Sequence, residues 1–385
     1  MRAWEFLRLS RAPLASFAAL GVLWGSFSAD VPDLKAGLAL GDGAFGQLYL
    51  CSSVAAVLAM AAAPRFGRRL GDLSMPLATV ILAAAFQLPG QMAGVWGFAL
   101  AMVAMGAASG LLDVLMNARV SALESARGIH LMGLNHATFS FAYALGAAAT
   151  GLARQAGYGP APILAGASLI AALTALASFE RTGGEPSDAQ GPASALRRAM
   201  GWGPALGGFV ILIAFLAENA VEAWSALHIE RSLGGSPALG GFGPAILGLT
   251  MGFGRLSGQI VAQRVAEGPL LFGAVLTASF GAVAAGLAPN LAIAYLGLTL
   301  MGLGVSVVAP VAFAVVGRTA ARGQRARAIA RATMLGYCGF FFGPPLLGAL
   351  AQVFGLGAAF LATALLLLAL LPVIPVFLRA RAPAN

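Results

Sequence analysis

Long apolar runs, each followed by a short polar segment, make up almost the whole sequence. A helix needs about 20 mostly apolar residues to cross a bilayer, and twelve runs reach that length. They lack the strict alternation of apolar and polar positions that is typical of outer-membrane β-strands. The pattern therefore predicts an all-α membrane protein with spans at 12–35, 43–63, 73–92, 94–118, 131–154, 160–179, 204–230, 237–262, 269–288, 291–317, 328–352 and 355–378.

The number and distribution of charged residues agree with these spans and predict their orientation in the membrane. Only 10% of the chain is charged, against about 25% in soluble proteins. The net charge of +9 does not indicate a nucleic-acid surface, because 20 of the 23 Lys and Arg residues fall on one side of the predicted spans. By the positive-inside rule, that side and both termini are cytoplasmic. The basic residues on the other side are Lys35, Arg154 and Arg231.

One polar stretch divides the spans into six and six. Residues 180–203 are rich in Gly, Pro and Ser, which predicts a cytoplasmic linker between a bundle at 1–179 and a second at 204–385. The two halves resemble each other weakly at three places, with offsets of 192, 194 and 196 residues. This predicts parallel six-helix repeats, and the alignment puts Asp30 opposite Glu222.

The segment after the second span, "MAAAPRFGRRLG" (60–71), carries a known motif. Its Arg65, Arg68 and Arg69 fit the basic motif of the major facilitator superfamily, whereas Met60 and Pro64 replace the usual Gly and Asp. With its spans and repeat, the chain resembles that superfamily over essentially its whole length. Strings such as "FLAENAVEAWSA" and "GYCGFFFGPPLLGAL" are similar to the bacterial fucose-permease-like branch. The resemblance implies two six-helix bundles about a pseudo-twofold axis, alternating access and proton-coupled transport across a bacterial inner membrane.

Carboxylates in or near the predicted spans are the main candidates for chemistry. An ionised carboxylate at the bilayer centre costs about 2.5–3.5 kcal/mol, so it needs a partner, water or a proton, and a desolvated one takes up a proton readily. A rise of 1.5 Å per residue puts Glu218 at mid-bilayer and Glu222 one turn further out, at the depth of Asp30. Asp113 lies in the inner third of the bilayer, at about the depth of His136, and histidine titrates near neutral pH. The proton-coupling candidates are Glu218, Glu222, Asp30, Asp113 and His136, with Glu218 preferred.

Several of these residues have a simpler structural alternative. Asp30 could cap or kink its helix, and His136 could be a packing residue. Asp113 could pair with Arg119, or with Arg255 as a latch on the cytoplasmic side. Arg255 could likewise be purely structural.

Aromatic and amide side chains near the carboxylates predict the substrate contacts, because they suit a polar solute with apolar faces, such as a sugar. Two residues have other interpretations. Trp224 could anchor its helix at the membrane interface, and Asp33, close to Lys35, could lie at a solvated helix end. The substrate-binding candidates are Trp24, Phe27, Asn117, Asn135, Tyr143, Asn219, Trp224 and Tyr337.

Gating and structural roles are predicted for basic residues and for one hinge. "GPP" at 343–345 should bend its helix. The sequence contains no P-loop, zinc-protease motif or nucleophile elbow, so we expect neither an enzyme nor a metal site, and no cofactor beyond the proton gradient. The gating and structural candidates are Arg65, Arg68, Arg69, Arg255, Gly343 and Pro344.

The sequence therefore predicts a proton-coupled secondary transporter of a small polar solute, with sugars favoured. Symport is preferred, because related drug–proton antiporters have a Gly-Pro pair in the fifth helix, which here reads "FSFAYALGAAATG". The alternative is a proton-driven exporter of a cationic or amphipathic compound, since the acidic cavity lacks an obvious internal arginine to hold an anionic substrate; a lipid flippase is less favoured. We expect a monomer that contacts its small-molecule substrate and membrane lipids, and no nucleic acid.

Overall fold

The computed structural model describes residues 3–181, 202–320 and 324–380, except for the side chains of 258–263 and 326. Within these ranges the chain is helical and contains no β-strand, so the all-α prediction is confirmed. Most of the predicted linker lies outside the described residues.

Every predicted span matches a helix, and most boundaries agree within a few residues. The exceptions are α3 and α5, which continue beyond the apolar runs to Leu70 and Arg127, and the twelfth span, which is divided into α13 and α14 before Val373. The helices in the described residues are α1 (Ala3–Leu9), α2 (Arg11–Gly37), α3 (Asp42–Leu70), α4 (Ser74–Gln87), α5 (Gly94–Arg127), α6 (Met132–Gln155), α7 (Pro160–Ser178), α8 (Gly203–Leu227), α9 (Pro237–Arg264), α10 (Glu267–Gly286), α11 (Leu291–Thr319), α12 (Arg325–Phe354), α13 (Leu356–Leu368) and α14 (Val373–Arg379).

The helices are long and apolar enough for a membrane protein. Among the described residues, nine stretches meet the criteria for a membrane span, and one of them, Asp42–Gly90, contains both α3 and α4. Helices α6 and α9 are not among these nine stretches of the described residues. Both are nevertheless longer than 20 residues.

The first of two compact units contains the described residues of 1–40, 48–189 and 235–252. Helix α2 lies at its centre and packs mainly against α6 and α7. Gly25 permits α2 and α6 to approach closely, because a Cβ atom at this position would lie only 2.0 Å from the carbonyl oxygen of Tyr143. The first half of α9 belongs to this unit, because Gly241 lies directly against Gly151 of α6.

The second unit contains the described residues of 41–47, 190–234 and 253–385. Helix α8 lies at its centre and packs mainly against α12 and α11, while α10 packs against α11 and α13. The first turn of α3 belongs here, because Gly46 lies against the carbonyl oxygen of Pro344. Each unit thus takes most of its residues from one half of the sequence and one segment from the other half, and the division into two six-helix bundles stays a prediction.

Helix α12 continues through Gly343 and Pro344 without a break. The hinge at these residues therefore stays a prediction about another state.

Candidate functional site

The first buried charge cluster is in unit 1 and joins α2 to α6. The side chain of Arg154 is only 1% exposed. Its guanidinium donates to both carboxylate oxygens of Asp33, at 2.8 and 2.7 Å, and to the carbonyl oxygen of Ala29 at 2.9 Å. The carboxylate of Asp30, which is completely buried, lies 3.6 Å from the same guanidinium.

This cluster corrects two interpretations of the sequence. Asp33 is not only a solvated helix end, because it forms a two-pronged ion pair with Arg154. Asp30 does not terminate α2, which continues for seven residues to Gly37; its side chain lies beside the guanidinium instead. Sequence reasoning used Arg154 only as a topology marker. Its position among the few basic residues on the outer side was a signal of another role.

The second buried charge cluster is in unit 2 and centres on α8. Glu218 is 6% exposed and accepts one hydrogen bond of 3.3 Å from the guanidinium of Arg255 on α9. Glu222 is one helical turn further along and partly exposed. No described residue forms a hydrogen bond or ion pair with Glu222. The cluster thus contains two carboxylates and a single guanidinium.

Asn219 adds a neutral acceptor to this face of α8. It is 7% exposed, and its Oδ1 atom is buried without a hydrogen-bond partner among the described residues. Asn219 and Glu222 are three residues apart, and Glu218 and Glu222 four, so Glu222 is a neighbour of both on the helix surface. Glu218 is directed towards α9, whereas Asn219 lies beside Gly343 of α12.

The inner carboxylate predicted on α5 lies in unit 1. Asn117 donates from its amide to the Oδ1 atom of Asp113 at 3.0 Å and to the carbonyl oxygen of Asp113 at 2.8 Å. Arg119 forms its two-pronged ion pair with Glu180, at 3.1 and 2.7 Å. The structure therefore brings together two of the predicted residues, Asp113 and Asn117.

The two candidates at the start of α6 are held by different contacts. Asn135 is completely buried and donates to the hydroxyl of Ser10 at 2.7 Å and to the carbonyl oxygen of Leu131 at 2.9 Å. The ring of His136 packs edge-on against Phe17, with 4.9 Å between ring centres. Both residues thus help to fix the inner end of α2 against α6, and their transport roles stay predictions.

Two aromatic candidates of unit 1, Trp24 and Phe27, pack against each other. The indole of Trp24 donates to the hydroxyl of Ser109 at 3.2 Å and contacts the rings of Phe27 and Phe86, at 5.7 and 5.3 Å between centres. Tyr143 is 1% exposed and lies where α6 crosses Gly25 of α2.

The aromatic candidates of unit 2 lie along the contact between α8 and α12. Trp224 is completely buried against Gly348. A membrane-interface anchor would face the lipid headgroups, so that alternative is wrong. Further inward, the ring of Tyr337 packs against Phe215 at 5.9 Å, and Phe215 stacks on Phe340 at 4.7 Å.

Sequence reasoning missed an ion pair at the other end of α8. Arg231, in a π-helical turn, donates to both oxygens of Asp42 at 2.6 and 3.2 Å. This pair links the two halves of the sequence within unit 2. The motif residues Arg65, Arg68 and Arg69 are exposed at the end of α3.

These features define a multi-pass helical membrane protein with charge clusters buried between its helices, an arrangement typical of transporters. The Major Facilitator Superfamily family model matches residues 207–385. An uncharacterised MFS-type transporter of Yersinia pestis is 31% identical over 359 residues, with 92% of each chain covered. The chain belongs to the major facilitator superfamily and is a membrane transporter.

Solved structures show the same fold. The E. coli xylose transporter XylE, in an inward-open conformation, aligns with a TM-score of 0.76 at 13% identity and covers 97% of each chain. The nucleoside transporter NupG aligns with a TM-score of 0.74 at 14% identity over 96% of this chain and 99% of its own. The predicted family and fold are confirmed, whereas the narrower fucose-permease-like branch stays a prediction.

Proposed function

We propose that the protein is a proton-coupled secondary transporter of a small polar solute. It works by alternating access in a bacterial inner membrane and moves solute and protons in the same direction, as a symporter. The observation that carries the proposal is the cluster on α8, where Glu218 and Glu222 lie one helical turn apart and the guanidinium of Arg255 contacts Glu218. An excess negative charge inside a membrane protein must be neutralised by a bound cation or a proton before the surroundings close around it.

Glu218 is the preferred proton carrier. It is the more buried of the two carboxylates, and its contact with Arg255, at 3.3 Å, is longer than the 2.7–2.9 Å of strong charge-assisted bonds. Protonation removes the charge attraction between Glu218 and Arg255, which provides a physical link between proton uptake and the contact of α8 with α9. The arginine beside Asp30 is itself held by a two-pronged ion pair with Asp33, and this favours a structural role for that cluster.

Alternating access requires contacts that can break. Within unit 2, the start of α3 is held by the ion pair of Asp42 with Arg231 and by a 3.4 Å bond from the backbone of Gly43 to Gln352. The predicted topology puts these polar contacts at the outer ends of their helices, where water can replace them. They are therefore suited to a reversible closure.

A thermal-shift screen tests the proposal. Purified protein is heated with sugars, nucleosides, amines, amino acids and lipids at two pH values, and a true ligand raises the melting temperature in proportion to the logarithm of its concentration. A soluble polar ligand whose effect depends on pH is expected. Stabilisation by lipids alone would instead favour a flippase.

A further inference from the structure

We propose that Glu222 and Asn219 form a binding site for a protonated amine, so that the transported solute is a small polar cation. This inference rests on the proposed function and names its substrate class. It starts from the two charge clusters, which the sequence repeat makes comparable.

The repeat puts Asp30 opposite Glu222, and the two carboxylates have different surroundings. Asp30 lies 3.6 Å from the guanidinium of Arg154. At the three offsets of the repeat, the residues opposite Arg154 are Leu346, Gly348 and Leu350. The second half of the chain thus keeps the outer carboxylate but has lost the cation that accompanies it in the first half.

Among the described residues, the cation near Glu222 is Arg255, which acts on it through space. Arg255 reaches Glu218, while no described residue forms an ion pair or hydrogen bond with Glu222. A carboxylate within a helical membrane protein normally has a partner. A ligand can supply that partner, and partial exposure of Glu222 gives it access.

Asn219 indicates which kind of ligand fits. Its buried Oδ1 atom has no donor among the described residues, and a buried acceptor without a donor costs about 1–3 kcal/mol. An ammonium group has three N–H donors and no acceptor. It can donate to Glu222 and Asn219 on one face of α8 and neutralise the charge of the cluster, which a neutral sugar hydroxyl cannot do.

The resulting division of roles is simple. Glu222 and Asn219 hold the cationic group, while Glu218 and Arg255 handle the proton. Cation and proton thus occupy different carboxylates of the same helix.

Three sets of solutes test the inference, and each set contains a cationic amine, a neutral and an anionic compound of similar skeleton. The sets are glucosamine, glucose and glucuronate; ethanolamine, ethylene glycol and glycolate; and cyclohexylamine, cyclohexanol and cyclohexanecarboxylate. Thermal shifts are measured for the full-length protein in micelles. At least one amine is expected to stabilise the protein more than its neutral and anionic counterparts. The Glu222→Gln variant should weaken this binding by roughly 30-fold or more, as expected for loss of a buried charge partner.

Two further variants make the result specific. Glu222→Asp keeps the charge and should retain the preference for amines with weaker binding. Glu267→Gln is the matched control, because Glu267 is an acidic residue of the same unit that pairs with Arg318; it should leave amine binding unchanged.

The inference is overturned if no amine stabilises the protein, if a neutral or anionic member binds equally well, or if Glu222→Gln binds amines normally. Binding of a neutral member that also drives proton movement in liposomes would overturn only the inference. If no solute of any charge binds or drives proton movement, the proposed function fails as well.

Discussion

Removal of Arg154 should destabilise the protein strongly. Its side chain is 1% exposed and contacts Asp30, Asp33 and a backbone carbonyl. In Arg154→Leu both carboxylates lose their cation, and the buried one cannot reach water. Breaking a buried ion pair by removing one partner costs about 3–5 kcal/mol. With an unfolding entropy of about 2.1 cal/mol/K per residue, this corresponds to a fall in melting temperature of about 4–6 °C for 385 residues.

The assay is thermal unfolding of purified protein in micelles, followed by tryptophan fluorescence. Arg318→Leu is the control, since Arg318 also pairs with a carboxylate but its side chain is 62% exposed, and exposed ion pairs contribute about 0–1 kcal/mol. Arg154→Lys should lie between the two, because lysine keeps the charge but lacks the planar fork. A fall for Arg154→Leu no larger than that for Arg318→Leu would refute the reasoning.

Three further predictions concern helix contacts. Asp42→Arg should lower the melting temperature through loss of a bond worth about 1–3 kcal/mol, and adding Arg231→Asp should restore part of it; no recovery in the double variant would show that the pair is unimportant. Gly25→Ala should lower the melting temperature, because its Cβ would lie 2.0 Å from a carbonyl oxygen of α6 and overpacking costs about 1–3 kcal/mol, whereas Gly37→Ala, with open space around it, should be neutral; equal shifts would contradict the packing. Asn290→Ala removes the side-chain cap of α11 and should cost about 1 kcal/mol, measured by the same unfolding assay; an unchanged curve would show that the cap is not used.

The spans could be predicted from sequence because each follows from a local property. Twenty apolar residues in a row predict a helix whatever its neighbours are. The same local counting missed the ends of α3 and α5, where the helices continue to Leu70 and Arg127 after the apolar residues stop. Hydrogen bonding within a helix is independent of whether its side chains face lipid or water.

The partners of the charged residues could be predicted only in part. Asp30 and Glu218 were identified as unusual from their predicted depth, but Arg154 and Arg255 reach them from other helices. Such pairs depend on how two helices are rotated and shifted against each other, which an amphipathic pattern does not show when both helices are apolar all round. The topology count contained a usable signal, since two of the basic residues that broke the positive-inside rule, Arg154 and Arg231, are in ion pairs.

Trp224 shows the same limit for aromatic residues. Its position near the end of a span is compatible with an interface anchor and with burial. The deciding fact is Gly348 on α12, which leaves room for the indole ring. Depth along the membrane is readable from sequence, whereas the direction in which a side chain points depends on packing.

Proton movement in proteoliposomes tests the central claim most directly. The protein is reconstituted with a pH-sensitive dye inside, and a solute that binds in the thermal-shift screen is added outside. Wild-type protein and the Glu267→Gln control should acidify the interior together with solute uptake. Glu218→Gln should exchange solute across the membrane without moving protons. If Glu218→Gln still moves protons with the solute as the wild type does, Glu218 is not the coupling residue; if the wild type moves the solute without protons, the account of proton coupling is wrong.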